Sequence, residues 1–147
     1  MNNKYDKIRL RNQLCFPLYL SSKEIIRKYT PILDKLNLTY TQYIVMMYFW
    51  EFGSSNVKTI GKTLLLDSST LTPLLKKLEE KQYITRTKNK TDERNLVLEL
   101  TEKGKQLQEK ALSVPDEISN CINLSKEEKI VLYKLLYKIL EVEEKEN

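Results

Sequence analysis

Between residues 57 and 104 the hydrophobic periodicity of the chain changes twice, and this limits the fold more than any other feature. VKTIGKTLLL (57–66) reads as a short helix. Asp67-Ser68-Ser69 is an N-cap signal opening a second helix through LTPLLKKLEEK. Pro73 is acceptable only near a first turn, so that helix has to begin close to Ser68–Thr70. YITRTK (83–88) and NLVLEL (95–100) then alternate with period two around the charged tip NKTDER (89–94). They predict a β-hairpin with a long polar loop. Helix, short turn, helix and basic hairpin is the order of a winged helix-turn-helix.

Helices flank this unit on both sides. The first is expected from about Leu10 to Tyr29, stopped by Thr30-Pro31. Thr39 and Gln42 in TYTQ form a capping box that opens an apolar helix to about Trp50, and FGSSN (52–56) reads as a loop. Thr101 caps a helix starting TEKGKQLQEKAL, broken near Val114-Pro115. Ser125 and Glu128 form a second capping box before a last helix with Val131, Leu132, Leu135, Leu136, Ile139 and Leu140. That stripe is wider than one small domain needs and fits a subunit interface; plain core packing is the alternative. The fold class is therefore mainly α with a small β-hairpin wing.

Several kinds of chemistry are excluded by composition. The 147 residues include no histidine, so neither a Cys–His dyad nor a Ser–His–Asp triad can be built. Two cysteines 106 positions apart, without CxxC, give no structural zinc site, and no metal or cofactor is expected. The longest apolar runs, such as IVMMYFW, are too short to cross a bilayer, and MNNKYDKIRLRN lacks the apolar core of a signal peptide. A cytoplasmic protein with free thiols is the expectation.

Charge is uneven along the chain. Residues 1–36 carry a net +5, residues 58–94 a net +4, and the part from 95 onward a net −3. A basic middle beside an acidic tail suggests a surface for a polyanion, although basic faces are often merely solvated. Ser68, Ser69, Thr70 and Thr72 would present short hydroxyl side chains to base edges and phosphates in a major groove. Lys76 and Lys77 would neutralise phosphates, while Lys88, Lys90 and Arg94 on the hairpin would reach an adjacent, narrower groove. Asp92 either braces the Arg94 guanidinium or sits in a solvated turn.

LDSSTLTPLLKKLEEKQYITRTKNKTDERNLVLELTEKG (66–104) resembles the recognition helix and wing of the MarR family of bacterial transcription regulators. NQLCFPLYLSSKEI together with LTYTQY is similar to its organic-hydroperoxide-sensing OhrR subgroup. The likeness spans about Asn12 to Leu140. It implies one MarR-type chain over 1–147, with a helical dimerisation region at about 1–36 and 105–147 and a DNA-binding region at about 37–104. It also implies a homodimer on a pseudo-palindromic operator in double-stranded DNA. An organic hydroperoxide would be the inducer, and a small thiol could serve as mixed-disulfide partner.

Cys15 is the focus of that resemblance. A lone cysteine on an apolar helix is usually a small buried hydrophobe. Here Arg11 lies about one turn before it and Tyr19 at i+4 shares its face. Pro17 suggests that helical bonding starts near Gln13–Phe16, placing Cys15 in a first turn, where an anion is favoured. Tyr29, at i+14, lies roughly 21 Å along the helix and cannot touch its own Cys15. The OhrR-type arrangement implies that Tyr29 and Tyr40 reach the sulfur of the other subunit, joined by Tyr19. Cys121 is a candidate resolving thiol, with an inert thiol as the alternative. Two other functions stay open: a MarR-type regulator induced by a small aromatic ligand with Cys15 silent, and a thiol peroxidase.

Overall fold

The computed structural model describes residues 3–91 and 96–140. Two short 3-10 turns (Asp6–Ile8 and Leu10–Asn12) lead into α1 (Cys15–Asp34) and α2 (Tyr40–Phe52). Then come α3 (Val57–Leu64), α4 (Ser68–Glu80), the strands β1 (Ile84–Lys88) and β2 (Leu96–Leu100), α5 (Glu102–Ala111), α6 (Val114–Asn120) and α7 (Lys126–Ile139). The strands pair antiparallel, from Ile84 opposite Leu100 to Lys88 opposite Leu96.

Local side-chain chemistry explains most of the helix starts. Thr39 with Gln42 and Ser125 with Glu128 make both capping boxes. Asp67 caps α4 by accepting the Thr70 amide at 2.8 Å, and Thr101 caps α5 by accepting the Gly104 amide at 3.0 Å. Each such cap contributes about 1 kcal/mol, enough to choose a start site among otherwise similar residues.

Proline produced the departures. α1 begins at Cys15 rather than Leu10, and it runs through Pro31 to Asp34 instead of stopping at Tyr29. The missing Pro31 amide strands only the Arg27 carbonyl, on an exposed residue that water can reach. Ile32 and Leu33 behind it are buried, and two such side chains offset a proline penalty of about 3 kcal/mol. Pro17 is the third residue of α1, where an amide would have no helical partner, so it is tolerated there. α4 does begin at Ser68, as Pro73 required, which makes Pro73 its sixth residue, with the helix held by buried Leu71, Leu74, Leu75 and Leu78. Arg11 lies in the second 3-10 turn and not on a helix shared with Cys15.

The core gathers one face each of α2, α3, α4, α5, α6 and the wing base around Val45, Met46, Phe49, Leu75, Leu78 and Leu98, with the end of α1 inserted. In the α3–α4 turn Leu65 takes a left-handed conformation (φ 52°) and the Leu66 amide donates to the Gly61 carbonyl at 2.9 Å. A methyl at Gly61 would approach the Leu66 carbonyl oxygen to 2.7 Å, so the turn needs glycine there. FGSSN is a loop, yet Ser55 forms a β-bridge with Leu98, exchanging hydrogen bonds of 2.7 and 3.0 Å. This ties the wing to the helical unit. α7 buries none of its side chains, and α1 buries only Ile32 and Leu33.

Candidate functional site

Two groups of sequence-nominated residues lie at different places in the fold. The first surrounds the sulfur. Cys15 is the first residue of α1, and its side chain is exposed. No side chain caps that end of the helix, so its orphan amides and dipole favour an anion beside the first turn. Tyr19 follows one turn later, 58% exposed, with the Lys23 ammonium 5.2 Å from its ring centroid.

Tyr29 and Tyr40 meet each other rather than the sulfur of their own chain. Their ring centroids are 4.7 Å apart. The cluster is larger than the sequence indicated: Tyr43 lies 6.1 Å from Tyr29, and Trp50 meets Tyr43 edge-on at 6.2 Å. Trp50 is itself anchored by donating its indole N–H to the Gly104 carbonyl at 3.0 Å. The spacing of Tyr40, Tyr43 and Trp50 along α2 was a signal for one shared helix face; what α1 would bring to that face was not readable. Burial, with the neighbouring phenols of Tyr40 and Tyr43, pushes the Tyr29 phenol up to about 12. Burial raises Tyr40 and Tyr43 as well. These phenols stay protonated and serve as hydrogen-bond donors at neutral pH.

Cys15 and Tyr29 share one helix, separated by about 21 Å of axial rise. Within one chain the thiol and the tyrosine cluster are therefore far apart. Cys121, at the C-terminal end of α6, is also an exposed free thiol.

The second group covers the outer face of α4 and the wing. Ser68, Ser69, Thr70, Thr72, Lys76 and Lys77 are all exposed, opposite the buried leucines of the same helix. Ser69 is not fully free, because its hydroxyl donates to Asp67 at 2.6 Å. That bond, with the Thr70 amide, holds the Asp67 carboxyl below the usual carboxylate range. Lys88 and Lys90 are exposed at the wing's outer end, and Asp92 and Arg94 lie outside the described residues. A cleft lined by Val57, Lys58, Gly61, Lys62, Leu66 and Ser68 adds two α3 lysines beside the start of α4. The sequence reading had passed over both.

The wing is braced against α4. The Arg86 guanidinium in β1 pairs with the Glu79 carboxylate near the end of α4 at 3.0 Å. Among the described wing residues, Arg86 is a cation paired with a carboxylate of the same chain. Among the described residues no cluster of His, Cys, Asp and Glu could hold a metal ion, and no helix is long and apolar enough to cross a membrane.

Comparison with known proteins agrees with this geometry. Residues 27–111 match the family profile described as transcriptional regulator SarA/Rot. The organic hydroperoxide resistance transcriptional regulator of Bacillus subtilis (strain 168) is 45% identical over 147 residues, all of both chains. AbfR of Staphylococcus epidermidis has been solved bound to DNA in reduced and overoxidized states. The overoxidized complex superposes with a TM-score of 0.74 at 36% identity, covering 95% of this chain and 98% of AbfR. Reduced MarR from E. coli gives 0.71 at 25% identity, covering 87% and 96%. A likeness running the whole length of the chain, on the same helices and wing, settles its kinship: the chain belongs to the MarR family of transcriptional regulators, in the organic-hydroperoxide-sensing OhrR subgroup.

Proposed function

We propose that this chain works as a homodimeric, DNA-binding repressor in the cytoplasm that senses organic hydroperoxides through Cys15 and releases its operator on oxidation. The observation that carries this reading is the separation, along α1, of the exposed Cys15 thiol from Tyr29 and the protonated α2 phenols packed on it. An antiparallel second α1 would bring the Tyr29 and Tyr40 hydroxyls of one copy to the Cys15 sulfur of the other. The phenols would donate to a thiolate there and later contact its oxidised product.

The chemistry is a two-step redox change. The Cys15 thiolate attacks the terminal oxygen of the hydroperoxide, the O–O bond breaks, and the alkoxide leaves as an alcohol after taking a proton. The sulfur becomes a sulfenic acid. A second thiol, from a small molecule or from Cys121, then attacks that sulfur, forming a disulfide and releasing water. AbfR is described overoxidized while bound to DNA and also in a disulfide form, so in that relative an oxidised state is compatible with the complex. We therefore assign release in the present chain to the disulfide stage, which adds bulk as well as polarity at a packed seam. Leaving polar groups unmatched at such a seam costs on the order of 2–7 kcal/mol. Reversing a binding-competent population from 99:1 to 1:99 needs about 5.5 kcal/mol, which the upper part of that range supplies.

For DNA, the exposed hydroxyls of Ser68, Thr70 and Thr72 would approach base edges, with Lys76 and Lys77 on phosphates. Lys88, Lys90 and Arg94 would follow on the wing, and Asp92 would orient Arg94. The α3 lysines Lys58 and Lys62 lie beside the same helix start and are added to the phosphate-contacting set. Binding should weaken steeply with salt, because several phosphates are neutralised.

The test is Cys15→Ser. The variant should bind operator DNA like the wild-type protein and remain bound in cumene hydroperoxide with a small thiol present. Release of this variant under those conditions would eliminate the sulfur mechanism and favour a bound small ligand as the trigger.

A further inference from the structure

Lys81 is the C-cap residue of α4, yet its ammonium is engaged at the turn between α1 and α2. Nζ donates to the Asn37 carbonyl at 2.7 Å and to Gln42 Oε1 at 2.8 Å. Gln42 is only 3% exposed, and the same oxygen also accepts the Thr39 amide at 3.1 Å. Asn37 holds a left-handed turn (φ 54°) between α1 and α2. One lysine thus ties the end of the helix that faces DNA to the first turn of α2. That turn also carries Tyr40 and Tyr43, the two phenols packed on Tyr29.

The contact is built rather than incidental. Burial, helped by the nearby Lys77 charge, holds the Lys81 ammonium below the usual lysine range. Its own carbonyl accepts Lys103 Nζ at 2.9 Å, so its backbone is held from the α5 side as well. Two neighbours complete the junction: Tyr83 donates its hydroxyl to the Leu36 carbonyl at 3.1 Å, and Thr101 donates to the Gln82 carbonyl at 2.6 Å. A shift of Tyr40 or Tyr43 would move Gln42 with the same turn, and Gln42 holds the ammonium that ends α4. The leucine core also joins α2 to α4 and transmits strain between them, and the charge-assisted hydrogen bond adds a directional link that fixes the α4 end to one turn.

We propose that Lys81 is a positioning residue that transmits the state of the tyrosine cluster to the recognition helix α4, through Gln42. The inference rests on the hydroperoxide-sensing reading above, since it specifies how that signal would travel. Lys81 itself has no DNA contact in this account.

The experiment uses the full-length dimer and a duplex selected for binding by the reduced wild-type protein. Affinity is measured before and after one equivalent of cumene hydroperoxide with free cysteine, for wild type, Lys81→Met and Gln42→Met. Methionine keeps much of the side-chain volume while removing the charge or the acceptor. The readout is the ratio of oxidised to reduced dissociation constants. Each variant should lower that ratio at least about fivefold relative to wild type. The double variant should lower it no further, and mass spectrometry should show Cys15 oxidised at an unchanged rate. Wild-type ratios in both folded single variants, or losses that simply multiply in the double variant, would overturn the inference. A wild-type protein that oxidises without releasing DNA would instead overturn the sensing reading, and this inference with it.

Discussion

Tyr29 offers a residue-scale check on the phenol cluster that needs no DNA. Its ionisation in the folded chain is pushed up to about 12, against an ordinary value of 10.0. The folded state therefore holds the proton more tightly than the unfolded chain, so stability is fully present below pH 10 and falls as pH rises toward 12. Denaturant midpoints measured between pH 9.5 and about 11.5 should decline, and Tyr29→Phe should flatten that decline. An unchanged slope in the variant would remove Tyr29 from the buried cluster. Trp50, the single tryptophan, sits at the far edge of the cluster against Tyr43 and provides the fluorescence readout. Some of this was legible in the sequence, because Cys15 with Pro17 two residues on predicts a thiol in a first helical turn, and α1 begins there. Tyr43 and Trp50 were not legible as members, since helical spacing tells which residues share a face but not what another helix brings to it.

At the scale of elements, the proposed reading of two grooves at once depends on the α4–wing junction. Glu79 is an acid on α4, the helix proposed to face DNA, so long-range charge alone predicts tighter binding for Glu79→Gln. The pair with Arg86 predicts the reverse: a wing no longer braced at 3.0 Å and an affinity lower by about threefold, the scale of a partly exposed ion pair. Fluorescence anisotropy with labelled operator separates the two signs. Arg86→Met should weaken binding without lowering the salt slope, because Arg86 neutralises Glu79 rather than a phosphate. At the wing base, a methyl on Gly104 would run into the Tyr83 carbonyl oxygen and lie 3.0 Å from Leu100 Cδ2. Gly104→Ala should therefore cost about 1–3 kcal/mol, seen as a lower Tm, with the loss falling on the wing base. Caps were the most readable features, since a hydroxyl meeting an amide three residues on is a purely local event. The end of α1 was misjudged because a local proline rule was outweighed by burial of Ile32 and Leu33 against distant elements. The Ser55 bridge to Leu98 had no sequence signal, being a single pairing between residues 43 positions apart.

The whole molecule is incomplete as one chain. Val131, Leu135, Ile139 and Leu140 are each more than half exposed along α7, and Leu10, Leu14 and Tyr19 are similarly open around the start of α1. Exposed apolar faces on both α1 and α7 are what an interhelical dimer would cover. The apolar stripe on α7 was readable from its period of 3.6, and its reading as a subunit interface stays a proposal. What the period could not say is that no residue of α7 would be fully buried within its own chain. Leu132→Glu with Leu135→Glu should weaken dimerisation by on the order of a hundredfold, measured by sedimentation, while helix content by circular dichroism stays constant. Operator affinity should fall with it, because two half-sites are then bound by separate molecules.

The central claim is that the bond made at Cys15 decides whether DNA is held. It is tested most directly by titrating the DNA-bound dimer with cumene hydroperoxide in the presence of a small thiol. Anisotropy would follow occupancy, and intact-protein mass spectrometry of the same samples would follow Cys15. The account predicts that occupancy falls in proportion to the fraction of Cys15 in a disulfide. Operator lost while Cys15 remains a thiol, or operator held with every Cys15 in a disulfide, would contradict it.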